Sequence, residues 1–436
     1  MNPSLALYNL AACAVAGVAL PAARLGLGLA GRWQEIGPRL GLYRQAAPPG
    51  PGPRVWLQAV SVGEVGVAAA VAAELMRLLP NVDLTVSATT PLGLAKARES
   101  LGLTARIAPF PLDLPWPVLA AAAKLKPQVF ACLETEIWPN LLWWLQRRGA
   151  GLLLLNGRLS PRSFPRYQKV KSLIAPALGR FSALSMIGPA DAERAIALGA
   201  PPARVRVDGN AKYAGLMEKA RPELTAEPAA RLALDGAPLL VAGSVRTGEE
   251  APLLEAFARA LAAHPGAVLA VAPRHIERAP RWLAEAGRRG LNPVAWTSLG
   301  PARPRPPGCR VVVVDVMGQL MGCYGLARAA FLGASLVRLG GQNPMEPAAW
   351  GLPMAYGPSM EDFADAAQAL EAAGAGQRVK DAADLAEFWI DCLERPQAAQ
   401  AAGLAGRRVV AGWSGAARVA ALLIVRELER VGALGK

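Results

Sequence analysis

Several short motifs carry side chains suited to acid–base and phosphate chemistry. Ser61-Val62-Gly63-Glu64 follows an apolar run ending at Val60. A strand-to-helix turn there puts Glu64 at a helix amino terminus, where it could take a proton from a bound hydroxyl or simply complement the helix dipole. Glu134-Thr135-Glu136 places two carboxylates after a second run and before Trp138-Pro139-Asn140. That pair suits acid–base or substrate-hydroxyl work, with helix capping as the alternative. Arg158, Arg162 and Arg166 recur every four residues and Lys169 continues the face, a stripe fit either to grip phosphates or to line a solvated helix.

The second half repeats the pattern. Gly243-Ser244-Val245-Arg246-Thr247-Gly248-Glu249 lacks the Lys and Ser/Thr of a P-loop, which removes an ATPase reading but leaves backbone N–H groups and Arg246 for a phosphate. Pro273-Arg274-His275 and Asp315-Val316-Met317-Gly318-Gln319 follow two further runs. Gly340-Gly341-Gln342-Asn343-Pro344-Met345-Glu346-Pro347 combines glycines for close backbone approach, a helix start at Asn343-Pro344, and Glu346 as acceptor for a ribose diol. Ordinary turn and cap chemistry is the competing reading for these groups.

The elements that must position these motifs alternate. Strands are expected at 54–60, 83–88, 128–133, 152–156, 183–187 and 205–207, then at 238–242, 268–271, 311–314, 330–332 and 353–355, with helices between, one of them starting at Pro161. Strand–helix alternation implies parallel sheets, here two Rossmann-like α/β domains facing each other across a cleft. The expected boundaries are an apolar helix at 1–23, a first domain at 24–218, a linker at 219–236 and a second domain at 237–436. A bilobal binding protein would share this architecture.

Composition narrows the class. The chain has 436 residues, 53% hydrophobic and 18% charged, with a formal charge of +14. It can bury a large core, and disorder is excluded. Five scattered cysteines and two histidines form no metal-ligand spacing, so neither a disulfide framework nor a metal or other cofactor is expected. The basic surplus comes without stacking aromatics or a nucleic-acid motif, so no nucleic-acid partner is expected. From Asn2 to Ala23 no side chain is charged, and Arg24, Arg32, Arg39 and Arg44 follow. About 20 such residues reach about 30 Å, enough to cross a bilayer, and the basic flank puts the rest on the cytoplasmic side. A helix buried in the core or lying in the interface is the alternative.

Together the motifs resemble those of the lipid A Kdo (3-deoxy-D-manno-octulosonic acid) transferases. The resemblance runs through Arg39-Leu40-Gly41-Leu42-Tyr43, Ala59–Glu64, Glu134-Thr135-Glu136-Ile137-Trp138-Pro139-Asn140, Asn156-Gly157-Arg158-Leu159-Ser160, Gly243-Ser244, Pro273-Arg274-His275 and Gly341–Pro347. It implies a GT-B fold and an inverting glycosyltransferase that moves Kdo from CMP-Kdo to a lipid A precursor at the inner membrane, without a metal. By the same resemblance Glu64 is the catalytic base, and Glu134 and Lys212 stabilise the transition state. Pro273, Arg274, Met317, Gly318, Gln319, Asn343, Pro344, Met345 and Glu346 bind CMP. Arg158, Arg162 and Arg166 are expected to hold acceptor phosphates. Gln342 stands where many relatives carry His, Gln319 where Glu is usual, and Gly157 where Ala is common; the first two bear on the donor side. A membrane-associated transferase with another nucleotide sugar, or a silent binding protein, are the alternatives.

Overall fold

Leu152-Leu153-Leu154-Leu155 is buried throughout, as a central strand covered by helices on both faces must be. Each such side chain withdrawn from water contributes about 1.5–3 kcal/mol. The computed structural model describes residues 3–29, 37–42 and 50–434, with the side chains of 23–29 excepted; the expectations resting on Arg24, Arg32, Tyr43 and Arg44 lie outside that description.

Two parallel seven-stranded sheets result. The first holds β1 (Arg54–Ala59), β2 (Asp83–Ala88), β3 (Arg106–Pro109), β4 (Val129–Leu133), β5 (Gly151–Gly157), β6 (Ala183–Met186) and β7 (Val205–Val207), in the order β3-β2-β1-β4-β5-β6-β7. The second holds β8 (Leu239–Val245), β9 (Val268–Pro273), β10 (Val294–Ala295), β11 (Val311–Val313), β12 (Ala327–Leu332), β13 (Met354–Tyr356) and β14 (Gly376–Arg378), in the order β10-β11-β9-β8-β12-β13-β14. Winding reverses between β1 and β4 in one sheet and between β8 and β12 in the other, and in open α/β sheets ligands sit at such reversals. The strands read from sequence are present with shifted ends. Strands β3, β10 and β14 are additional to those the sequence pattern marks: each is a short edge strand, only partly buried, so its apolar signal is weak.

The chain divides into two compact units, Met1–Ala214 with Trp413–Lys436, and Gly215–Gly412. This departs from the expected second domain at 237–436 and from the linker at 219–236, whose residues belong to the second unit. The last helix, Ala416–Arg430, lays Ala417, Ala420, Ala421, Ile424 and Leu428 into the core of the first unit against the helix Val62–Leu78. Its Glu427 lies so close to Gly151 that a Cβ there would collide with it.

The N-terminal helix runs Pro3–Leu29, past the expected end at 23. Its segment Pro3–Ala22 is only 11% buried, and Leu7, Leu10, Val15 and Val18 are all exposed, so it is not a core helix of this chain. It packs on the helix Lys171–Leu178, and the Tyr8 hydroxyl donates to Asp113 Oδ2 at 3.1 Å. Asp113, buried, also accepts the Asn140 and Leu141 N–H groups at 3.1 and 2.9 Å and so caps the helix Pro139–Arg147. Burial pushes its carboxyl up to about 6, against the pull of those three donors.

Candidate active site

In the first unit the chemistry-bearing residues gather at the carboxyl ends of β1, β4 and β5. Ser61 caps the helix Val62–Leu78, accepting the Glu64 N–H at 3.5 Å. Glu64 answers: Oε1 accepts the Ser61 hydroxyl at 3.1 Å and Oε2 the Val60 N–H at 2.8 Å. The first-turn reading is therefore correct in geometry and leaves a proton-accepting role open. Glu64 is 8% exposed. Burial pushes its carboxyl above the usual range; the Val60 and Ser61 donors pull it back, and the charge of Glu136 raises it again.

Glu134, the residue after β4, has φ 56°, and Asn156, near the end of the neighbouring β5, has φ 52°. The Glu134 N–H donates to Leu155 O at 3.1 Å. Asn156 Oδ1 accepts the Ala211 N–H at 2.7 Å, tying β5 to the turn that carries Lys212. That turn, Ala211–Tyr213, packs on the helix of Glu64, and Lys212 is exposed upon it. Left-handed backbone at a non-glycine costs about 1–3 kcal/mol, and such positions concentrate at functional sites. The Glu134–Glu136 pair does not cap the following helix: its N-cap is Trp138, with no side-chain bond, and Asp113 does the capping.

The arginine stripe does not form one helical face. The expected helix from Pro161 begins only at Phe164, because Ser160 and Ser163 close a turn on each other. Arg158 belongs to the loop after β5, Arg162 to that turn, and of the stripe only Arg166 and Lys169 are helical. Arg162 and Arg166 are exposed and Arg158 is half-buried, so the three do not share one helical face.

In the second unit Ser244 (φ 54°) and Ala334 (φ 59°) repeat the strained backbone at the ends of β8 and β12. Buried Glu249 clamps both turns, accepting the N–H groups of Arg246 (2.8 Å), Ala334 (2.8 Å), Ser335 (3.0 Å) and Leu336 (3.1 Å). Gly340 and Gly341 have φ +82° and +79°, and a Cβ on Gly341 would strike Met360 Sδ. Asn343 Oδ1 caps Met345 N–H at 3.1 Å while its Nδ2 donates to Glu346 Oε1 at 3.2 Å. The helix they open is Met345–Ala349, with Pro344 at its N-cap, where a helix start is expected. Burial lifts the Glu346 carboxyl; Asn343, Lys219 and Arg274 draw it down. Arg274 is exposed at the end of β9, and its N–H donates to Val245 O at 3.0 Å. Met317 and Gly318 are exposed, whereas Pro273, Pro344 and Met345 are buried, so a ligand there would meet mainly their backbone. Gln319 Nε2 donates to Glu227 Oε2 at 3.0 Å, a contact that a Glu at 319 would turn into repulsion. Lys219 lies in the stretch expected to be a linker, and no spacing points from it to Glu346. Among the described residues no group of three or more His, Cys, Asp or Glu is placed to hold a metal ion.

Two parallel α/β units with their polar groups at strand carboxyl ends define a protein of the GT-B class. Solved structures agree on the fold: a glycosyltransferase from Rickettsia africae has TM-score 0.56 at 12% identity, covering 88% of this chain and 98% of its own. The UDP-GlcNAc 2-epimerase from Neisseria meningitidis has TM-score 0.55 at 12% identity, covering 86% and 99%. Residues 34–215 match the family model of the 3-deoxy-D-manno-octulosonic-acid transferase (kdotransferase). The 3-deoxy-D-manno-octulosonic acid transferase of Bordetella pertussis is 31% identical, over 89% of this chain and 91% of its own; that of Haemophilus influenzae is 29% identical over 83% of each. The chain belongs to the 3-deoxy-D-manno-octulosonic acid transferase family.

Proposed function

We propose that this protein transfers Kdo from CMP-Kdo to a lipid A precursor with inversion at the anomeric carbon, Glu64 acting as general base. The observation that carries the reading is the Glu64 carboxylate itself, buried at a helix amino terminus at the β1/β4 reversal with its proton affinity raised. A base is most effective when its pKa approaches the working pH. As the acceptor hydroxyl attacks, its proton passes to Glu64, the bond from the anomeric carbon to the phosphate oxygen breaks, and CMP leaves.

Glu134, just after β4, and Lys212, on the turn that packs on the helix of Glu64, support charge stabilisation in the transition state. Donor binding falls to the second unit. Arg274 suits the phosphate, and Glu346 the ribose hydroxyls. Lys219 and Arg274 supply positive charge beside that site, which supports departure of CMP without a metal. Arg158, Arg162 and Arg166 are offered as separate phosphate contacts for the acceptor. The exposed apolar segment Pro3–Ala22 supports attachment to the inner membrane, with the catalytic units on the cytoplasmic face.

The test is mass spectrometry of a tetra-acylated lipid A precursor incubated with the detergent-solubilised protein and freshly generated CMP-Kdo. A product heavier by one or more Kdo units, undiminished by EDTA, supports the reading. No product, with the substrates shown competent by a known enzyme, sinks it and points to another donor sugar.

A further inference from the structure

Glu136 is the second carboxylate of the Glu134–Glu136 pair, and the roles above leave it unused. It ends a buried chain of hydrogen bonds that runs from β2 through β1 to the loop after β4. Trp56 Nε1 donates to Ser87 Oγ at 2.7 Å, and the Ser87 hydroxyl donates to Gln58 Oε1. Gln58 Nε2 donates to Ala59 O (2.7 Å), Thr89 Oγ1 (3.0 Å) and Glu136 Oε2 (3.3 Å), and Trp138 Nε1 donates to the same Oε2 at 2.8 Å. Trp56, Gln58 and Ser87 are at most 1% exposed.

So many buried polar groups cost free energy unless all are bonded, and here they converge on one carboxylate oxygen. The other oxygen, Oε1, accepts no hydrogen bond among the described residues, and Glu136 is only half-buried. The carboxylate sits at the β1/β4 reversal and interacts electrostatically with Glu64 and with the Tyr167 hydroxyl. A rigid acceptor with one oxygen left open, next to the proposed base, is what a polyhydroxylated ligand requires.

We propose that Glu136 Oε1 accepts a hydrogen bond from a second hydroxyl of the acceptor sugar, not the attacking one, and so aligns the acceptor against Glu64. The inference rests on the transfer reading above. It gives Gln at 136 a defined effect. The amide oxygen must face the Gln58 and Trp138 donors, which turns the NH₂ toward the open side. A charge-assisted acceptor is thereby replaced by a neutral donor while the buried chain stays intact.

The experiment is steady-state kinetics of the full chain in detergent with CMP-Kdo and an acylated, diphosphorylated glucosamine disaccharide. Glu136→Gln is expected to raise the acceptor KM about tenfold or more, with the CMP-Kdo KM changed by less than about twofold and the thermal midpoint unchanged. Trp138→Phe removes one donor to Oε2 and is expected to raise the acceptor KM less. Should Glu136→Gln not fold, Glu136→Asp, which withdraws the carboxylate by one methylene, must show the same split. An unchanged acceptor KM in a folded variant overturns the inference, as does a fall in thermal midpoint with both KM values intact. Wild type that transfers no Kdo overturns the transfer reading itself, and this inference with it.

Discussion

Ser61 and Glu64 hold each other across the first turn of the helix Val62–Leu78: the Ser61 oxygen accepts the Glu64 N–H, and the Ser61 hydroxyl donates to Glu64 Oε1 at 3.1 Å. With the Val60 N–H on Oε2, the carboxylate has one orientation before any ligand arrives. A preoriented base needs no reorganisation as the proton moves.

Glu64→Gln should therefore lower kcat by about 10²–10⁴-fold, the usual contribution of a general base, while CMP binding and folding persist. Calorimetric titration with CMP and a thermal melt check the second half of that statement. Retained turnover in this variant would remove Glu64 from the mechanism.

The same residue sets a pH dependence. Its folded-state pKa is raised, chiefly by burial. Transfer should fall as pH drops through that raised value, because a protonated Glu64 cannot take the hydroxyl proton. The acid limb of kcat/KM should thus lie above the ordinary Glu pKa of about 4.3. For stability the sign is opposite: a raised carboxyl favours the folded state below its unfolded pKa, and that contribution is lost as pH rises through the folded value. Glu64→Gln should then melt no lower than wild type near neutral pH. An acid limb at the ordinary position would contradict the burial seen here.

Glu134 occupies left-handed backbone that glycine adopts freely. Glu134→Gly should keep or slightly raise the thermal midpoint and still reduce transfer. A variant with full activity would mean that the conformation, and not the carboxylate, is what the site needs.

Gly341→Ala places a methyl against Met360 Sδ at φ +79°. A destabilisation of about 1–3 kcal/mol is expected, with weakened CMP binding at temperatures where the second unit remains folded. Chemical denaturation and CMP titration on the same preparation separate the two effects.

Tyr8→Phe removes one of the three donors to the Asp113 carboxylate. The loss of a hydrogen bond to a charged group should cost about 1.5–3 kcal/mol and loosen the N-terminal helix. Faster cleavage within residues 3–29 under limited proteolysis would report it; an unaltered cleavage rate would mean the helix is held by its apolar contacts alone.

Much of this protein is legible along the chain. The apolar runs mark the central strands because both faces of a parallel sheet are covered, and Ser61-Val62-Gly63-Glu64 spells a helix start whose carboxylate has to lie in the first turn. The strings around Glu134 and Asn343 point to the family. Tertiary structure alone decided the rest. The helix Ala416–Arg430 has an apolar face whatever it covers, and only packing assigns that face to the first unit. Lys219 draws on Glu346 across 127 positions of sequence, and Asp113 caps a helix that starts 26 residues later, because side-chain charge and hydrogen bonding follow distance in space. The four-residue spacing of Arg158, Arg162 and Arg166 fits a helix, but the Ser160–Ser163 turn satisfies the local hydrogen bonds first and divides the stripe. Local pattern determines which elements form; which of their side chains meet depends on contacts that a one-dimensional spacing does not contain.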